Sequence, residues 1–452
     1  MIKYYIQTFG CAMNYSDSER LCSIMDSCQG KKVKTLREAD LLLCNTCSIR
    51  QKSEDKALGF FHQTKKILPN IKIVLSGCMV RRTGVKAFGS DKLLKHRFID
   101  ATVRIEDLAK MPKILSPLFP SENFASFSKF YDRGDIDNYF HIKPKVKNKY
   151  QVSVPIMRGC DNFCTYCIVP LTRGREISRP LKEIISECTA LVKNGAQELT
   201  LVGQNVNSYQ IKGKKCFPLL LQEIDKLYNS GLRWLRFVSP NPRDWSEETT
   251  SILAQMRLKF PYLHLPLQSG SDHILHKMNR GYTKKQYISL VTKIREKLPY
   301  IRIATDIIVG FPGESQADFA STCALAQELK FDFVYLAIFS PREGTGAAEM
   351  TAEFIADKTK KERFHTLDKI IQSHAFAARK AMIGKTTEIL ISSCQKQKNG
   401  KYLCSGRTAE YYETYSESSK DLTGQLLSIK IISAKNYVLQ GKIILPPSPN
   451  LK

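Results

Sequence analysis

Between residues 151 and 340 the chain repeats one pattern six times: a short β-rich run followed by a helical or turn-rich connection. The runs fall at 151–157, 198–202, 234–238, 262–266, 303–309 and 333–339, with helical stretches at 181–193, 219–228, 284–296 and 316–329. A helix between successive strands makes them parallel and puts helices on the sheet's faces. Six units rather than eight predict an α/β partial barrel or open sheet, with its site on the loops beyond the C-terminal strand ends.

The flanks read differently. Residues 1–78 alternate strand and helix (3–9, 16–28, 39–46, 51–68, 71–76), an open parallel sheet of their own, with Ser16 as the expected N-cap of the first helix. Residues 358–382 form one long polar helix. Beyond it, short β-rich runs split by Gly, Asn and Lys predict a small all-β barrel. The predicted organisation is an amino-terminal domain at 1–118, a linker at 119–145 that partly packs on a neighbour, a core at 146–382 and a β module at 383–446.

Of the 452 residues 43% are hydrophobic, enough for real cores, and no run approaches a membrane span. The first twenty residues lack the apolar stretch of a secretory signal, so a cytoplasmic location is expected. There thiols stay reduced, and fourteen cysteines call for chemistry rather than disulfides. The net charge of +26, spread along the chain, suits a polyanionic partner, nucleic acid first.

The densest signal is Arg158-Gly159-Cys160-Asp161-Asn162-Phe163-Cys164-Thr165-Tyr166-Cys167, at the end of the first core strand. Three thiolates on one tight loop can hold three irons of a 4Fe-4S cluster and leave the fourth open to a small molecule. Zinc would want a fourth ligand, which this loop does not offer. A second set is dispersed: Cys11, Cys47 and Cys78 each sit just past a predicted strand of the first sheet, on the edge where parallel sheets gather ligands. Cys44, inside its strand, is expected to pack. Cys394 and Cys404 belong to neither set, and the β module is expected to be separable from both.

The loop resembles the radical S-adenosylmethionine signature. Adding Thr8-Phe9-Gly10-Cys11-Ala12-Met13-Asn14, Asn45-Thr46-Cys47-Ser48-Ile49-Arg50, Ser76-Gly77-Cys78, the 264–272 segment HLPLQSGSD and the 340–345 segment SPREGT, nearly the whole chain resembles the methylthiotransferases, most nearly the MiaB-type branch. Ala12 departs from the Gln usual in that pattern. The resemblance implies two 4Fe-4S clusters, S-adenosylmethionine as cofactor, a carboxy-terminal TRAM domain that binds RNA, and a methylthio group added to carbon 2 of an isopentenylated adenosine beside the tRNA anticodon. It further implies one use of S-adenosylmethionine to methylate a sulfur and one to make the radical. No catalytic residue is expected beyond the cluster ligands. Cofactor contacts carry over to Gly203 and Gln204, and to Ile308 and Gly310, with Asp306 and Gln268 as polar site groups. Arg407, read in a Gly406-Arg407-Thr408 turn, is the candidate RNA contact. Implied partners are the tRNA anticodon arm, an electron donor such as flavodoxin or ferredoxin, and a sulfur source, with no membrane and a monomeric chain. Alternatives are a methylthiotransferase for a ribosomal-protein aspartate or for threonylcarbamoyl-adenosine, and a non-catalytic iron–sulfur RNA-binding protein. The open-iron spacing argues against the last, since an electron carrier normally has four protein ligands per cluster.

Overall fold

A computed structural model describes all residues except 49–50, 81–95, 97, 123–137, 436 and 445–452. Residues 49–50 of the second-cysteine motif, most of the predicted linker and the end of the predicted β module therefore lie outside the described residues.

The amino-terminal unit is a five-stranded parallel sheet. In chain order β1 is Lys3–Phe9, α1 Ala12–Ser27, β2 Lys31–Lys32, β3 Leu41–Thr46, α2 Gln51–Ile67, β4 Lys72–Gly77 and β5 Ala101–Val103, with sheet order β2-β1-β3-β4-β5. All six residues of β3 are buried, as a central parallel strand covered on both faces requires. Helix α1 starts four residues earlier than the sequence suggests. Its N-cap is Cys11, not Ser16, because the Asn14 side chain accepts the Cys11 N–H (3.2 Å) and fixes the first turn there. Ser16 instead lies inside the helix and accepts from Arg20 (2.8 Å). From the predicted linker, Tyr139 and Phe140 are buried in this unit's core.

The core unit holds six parallel strands, β6 Gln151–Pro155, β7 Glu198–Val202, β8 Trp234–Phe237, β9 Tyr262–His264, β10 Arg302–Val309 and β11 Phe333–Ile338. They run in chain order as two hydrogen-bonded triplets, with a Trp234–Lys259 bridge leading from the first towards the second. Between them lie α3 Val169–Arg173, α4 Leu181–Lys193, α5 Lys284–Lys297 and α6 Gln316–Leu329. Helix α4 buries Ile184, Cys188 and Val192, the i, i+4, i+8 stripe of a helix laid on a sheet. Thr283 and Gln286 form a capping box that starts α5. A long helix, α7 (Asp357–Lys380), follows.

The last unit is a closed barrel of five strands, β12 Thr386–Lys396, β13 Tyr402–Thr408, β14 Glu413–Ser418, β15 Leu426–Ala434 and β16 Leu439–Ile444, ordered β12-β13-β14-β16-β15. Two sequence expectations are corrected here. Gly406-Arg407-Thr408 is strand, not turn: Arg407 pairs with Leu390 and Glu413, and only a glycine lets the strands approach, since a Cβ on Gly406 would sit 2.2 Å from the Leu390 carbonyl. Nor is the module a detached unit. Arg236 of β8, 4% exposed, pairs with Glu198 (3.1 Å) and donates to the carbonyls of Thr408 and Ala409 (3.2 Å each). The Tyr411 ring stacks on Tyr262 at 4.2 Å, and Trp234 packs with Leu390 and Ala409. The barrel thus caps the N-terminal ends of the core strands. Within it Cys394 and Cys404, cross-strand partners, are joined by a disulfide, against the expectation that every thiol stays reduced.

Candidate functional site

The dispersed cysteines stand along one sheet edge. The register aligns Phe9 with Thr46 and Thr46 with Gly77, so β1, β3 and β4 end level. Past those ends the Cys47 N–H donates to the Phe9 carbonyl and the Cys78 N–H to the Thr46 carbonyl, both at 2.7 Å. Gly77 has φ +93°, and a Cβ there would strike the Thr46 carbonyl at 2.3 Å. That turn, open only to glycine, aims Cys78 along the edge.

Buried asparagines tie the loops together. Asn45 donates to the Asn14 carbonyl (2.8 Å), Asn14 donates to Asn45 Oδ1 (3.0 Å), and Asn14 Oδ1 also lies 3.4 Å from Cys11 Sγ. Cys47 and Cys78 are buried. Cys11 is reachable by solvent in a recess, where burial and then the nearby Cys78 push its thiol up. Cys44 is fully enclosed in an apolar cluster on the strand interior, apart from the edge.

The clustered cysteines follow β6. Gly159, φ +76°, opens the loop where a Cβ would lie 2.0 Å from the Arg175 carbonyl. The Cys160 N–H donates to Gly174 (3.2 Å) and the Cys167 N–H to Cys164 (2.9 Å). Asn279 donates to the carbonyls of Asn162 and Phe163 (3.3 and 3.1 Å), and Thr165 bonds the backbone of Lys277 and Met278. Burial first, then the charge of Cys164, pushes Cys167 up to about 12; burial also leads in pushing Cys160 up to about 11. Thiols held close in a dry site resist ionising unless a cation compensates, which is the electrostatic demand of an iron cluster. Among the described residues no three His, Cys, Asp or Glu side chains converge to hold a single metal ion. A cluster, in which each iron takes its own thiolate, needs no such shared point.

The predicted cofactor residues divide. Gly203, just past β7, has no room for a Cβ, which would lie 2.5 Å from Met157 Cγ. Beside it, Gln204 Oε1 and Asn205 Oδ1 are buried acceptors without a donor, an arrangement suited to a bound ammonium or hydroxyl. Gln268 has φ +74°; its backbone bonds Asp306 (2.8 Å) and Ile308 (3.0 Å), which holds those three residues together. Asp306 lies 3.1 Å from His264, and Ile308 packs in the cluster that receives Tyr166. Gly310, φ +72°, faces the Lys360 side chain of α7 and gives its N–H to Glu314 (2.8 Å). Arg407 lies over the Tyr411 ring at 4.3 Å and donates to its hydroxyl (2.6 Å). Both line a cavity of about 320 Å³ at the floor of the core, with Ser153, Thr200 and Arg236. Arg173, Asp17 and Arg280, buried at the cysteine loops, were missed in the sequence because long-range partners of charged residues carry no local pattern.

A strand-by-strand partial barrel with three cysteines on the loop after its first strand defines a radical S-adenosylmethionine protein. Residues 154–326 match the Radical SAM superfamily, and residues 3–98 match a family described as uncharacterized protein family UPF0004. The radical S-adenosylmethionine methyltransferase TsrM of Kitasatospora setae superposes with TM-score 0.53 at 13% identity, covering 77% of this chain and 75% of its own, a likeness of fold. Among curated relatives, the tRNA-2-methylthio-N(6)-dimethylallyladenosine synthase of Dictyoglomus thermophilum is 39% identical, covering 98% of this chain and 99% of its own. That of Carboxydothermus hydrogenoformans is 36% identical with the same coverage. The chain belongs to the family of tRNA-2-methylthio-N(6)-dimethylallyladenosine synthases.

Proposed function

We propose that this chain adds a methylthio group to carbon 2 of N6-dimethylallyladenosine in tRNA. One observation supports the reading beside the relatives: a single arginine carries the loop after one cysteine set to a sulfur of the other, across one domain junction. Helix α3, which begins two residues after Cys167, ends in Arg173, whose Nε lies 3.4 Å from Cys78 Sγ. An enzyme that both makes a radical and delivers a sulfur group needs two such centres within reach of one substrate.

When bound, two 4Fe-4S clusters and S-adenosylmethionine supply the radical and the methylthio group; the adenine carbon–hydrogen bond is too weakly acidic for a general base at neutral pH. The chain's part is to hold and orient. Cys160, Cys164 and Cys167 would hold one cluster, and Cys11, Cys47 and Cys78 the other. Gln204, with its orphaned acceptor, and Gly203 would receive the methionine end of S-adenosylmethionine, while Gln268, Asp306, Ile308 and Gly310 would flank its nucleoside. The domain division 1–118, 146–382 and 383–446 assigns one triad to each of the first two units and RNA contact to the third. There, 9 basic side chains against 5 acidic ones suit phosphates. The adenosine, stacked in the anticodon arm, would have to be turned out to reach the site. A flavodoxin- or ferredoxin-like donor, a separate sulfur source, a monomeric state and a cytoplasmic location complete the proposal. Among the described residues no helix is long and apolar enough to cross a membrane.

Mass spectrometry of tRNA nucleosides from a deletion strain tests this. Loss of the 2-methylthio nucleoside with build-up of its N6-dimethylallyl precursor, reversed by the wild-type gene, is expected. Unchanged tRNA alongside a lost mark on a ribosomal protein would refute it.

A further inference from the structure

Among the described residues a buried arginine donates to a sulfur of each cysteine set, and neither of these arginines stands in the cysteine motifs. At the clustered triad, Arg280 Nη1 lies 3.3 Å from Cys164 Sγ, and Nη2 donates to the Pro266 carbonyl (3.2 Å). At the dispersed triad, Arg173 Nε lies 3.4 Å from Cys78 Sγ. Arg173 is 3% exposed and bonds Asp17, which is wholly buried, at 2.7 Å through Nη2. Tyr139 holds the other Asp17 oxygen (2.7 Å). Asp17 stands on α1, the helix that Cys11 caps. One planar guanidinium therefore joins three things: the loop leaving Cys167, the sulfur of Cys78, and the helix starting at Cys11. A lysine could not serve two of these at fixed angles.

We propose that Arg173 is a positioning residue that belongs to the radical core but acts on the amino-terminal cluster. It aims an N–H at Cys78 and thereby sets that cluster's reduction potential. The inference rests on the reading that Cys11, Cys47 and Cys78 hold a cluster. Reduction adds negative charge to a cluster and its thiolates. A donor aimed at a ligand sulfur stabilises the reduced form more than the oxidised one and raises the potential. Asp17 anchors the fork so that this N–H stays on the sulfur, and the pair stays close to neutral overall, which keeps its burial tolerable.

The test uses full-length protein reconstituted anaerobically with iron and sulfide, followed by iron counting and redox titration read by electron paramagnetic resonance. In Arg173→Lys the amino-terminal cluster should be about tenfold less reduced at a fixed potential, a fall of 59 mV for one electron. The radical cluster should not move. Arg280→Lys should give the reciprocal pattern. Because Arg173→Gln alone would strand the buried Asp17, Asp17→Asn/Arg173→Gln removes both charges and is the variant expected to fold. It should show the same one-sided fall, or selective loss of amino-terminal iron. Both clusters present with unshifted potentials in both Arg173 variants would overturn the proposal. A wild-type protein with iron for one cluster only would instead overturn the two-cluster reading beneath it.

Discussion

Replacing Arg236 by methionine tests whether the β module is built into the core rather than tethered to it. Arg236 is 4% exposed and pairs with Glu198, itself 6% exposed. Breaking a buried pair by removing one partner costs about 3–5 kcal/mol, because the remaining charge is left in a dry site. The Ala409 carbonyl also loses its donor, about 1–3 kcal/mol more, whereas Thr408 keeps the Tyr411 N–H at 2.9 Å. These terms share one side chain and are not additive, so the low end, about 4 kcal/mol, is the expectation. For units of this size that corresponds to a fall of roughly 10 °C in the first calorimetric transition. Arg236→Met/Glu198→Gln removes the stranded carboxylate and should recover more than half of it. A single variant that melts within about 2 °C of wild type, with no gain from the second change, would mean that the docked arrangement is not the solution structure. The same contacts imply that deleting residues 383–452 destabilises the core as well as weakening tRNA binding.

Reconstituted protein should bind about seven to eight irons, and the Cys160→Ala/Cys164→Ala/Cys167→Ala variant about half, by colorimetric iron assay. Cys11→Ala, Cys47→Ala and Cys78→Ala should each abolish methylthiolation yet leave S-adenosylmethionine cleavage measurable by chromatography of deoxyadenosine; Cys44→Ala should keep product and cost only stability. Arg407→Ala should reduce the log–log salt slope of tRNA binding by about 0.7–0.9 if the residue meets a phosphate; an unchanged slope assigns it to the Tyr411 stack. Burial tends to raise the Asp318 carboxyl, but hydrogen bonds from Ser271 and Ser315, the Ser315 N–H and His273 outweigh it and hold the group below its usual 3.8. Its contribution is thus fully present above that value and is lost as pH falls through the depressed one. Denaturation curves of wild type and Asp318→Asn should differ at neutral pH and converge in acid.

The residues that could be read from the sequence are those whose role is fixed locally. Strand ends, the Cys160 loop and the three dispersed cysteines follow from period and spacing, since parallel strands of one sheet end on one edge whatever their separation along the chain. Strand β14 was not legible: its inward-facing residues are Thr414 and Ser416, so the apolar alternation that marks a half-buried strand is missing. Helix α1 was misplaced because a cysteine with Asn14 behind it does the capping that serine usually does. The docking of the β module was illegible for a deeper reason. Its contacts, Arg236 to two carbonyls and Tyr411 on Tyr262, join residues more than a hundred positions apart and depend on geometry that neither segment encodes alone.

The same distinction separates the proposed ligands from the residue proposed to tune them. The cysteines announce themselves by spacing, whereas Arg173 stands in the stretch Pro170-Leu171-Thr172-Arg173-Gly174 as one of 69 basic residues. Only the fold brings it 2.7 Å from Asp17 and 3.4 Å from Cys78. Because the residue that touches the amino-terminal triad is carried by the radical core, the two domains cannot be optimised separately. A change that shifts α3 by a fraction of an ångström alters a donor–sulfur distance in the neighbouring domain. Swapping the amino-terminal domain for that of a relative should therefore disturb the amino-terminal cluster's potential unless the Asp17 partner of Arg173 is preserved, and a chimera lacking the acid yet titrating like wild type would break this link.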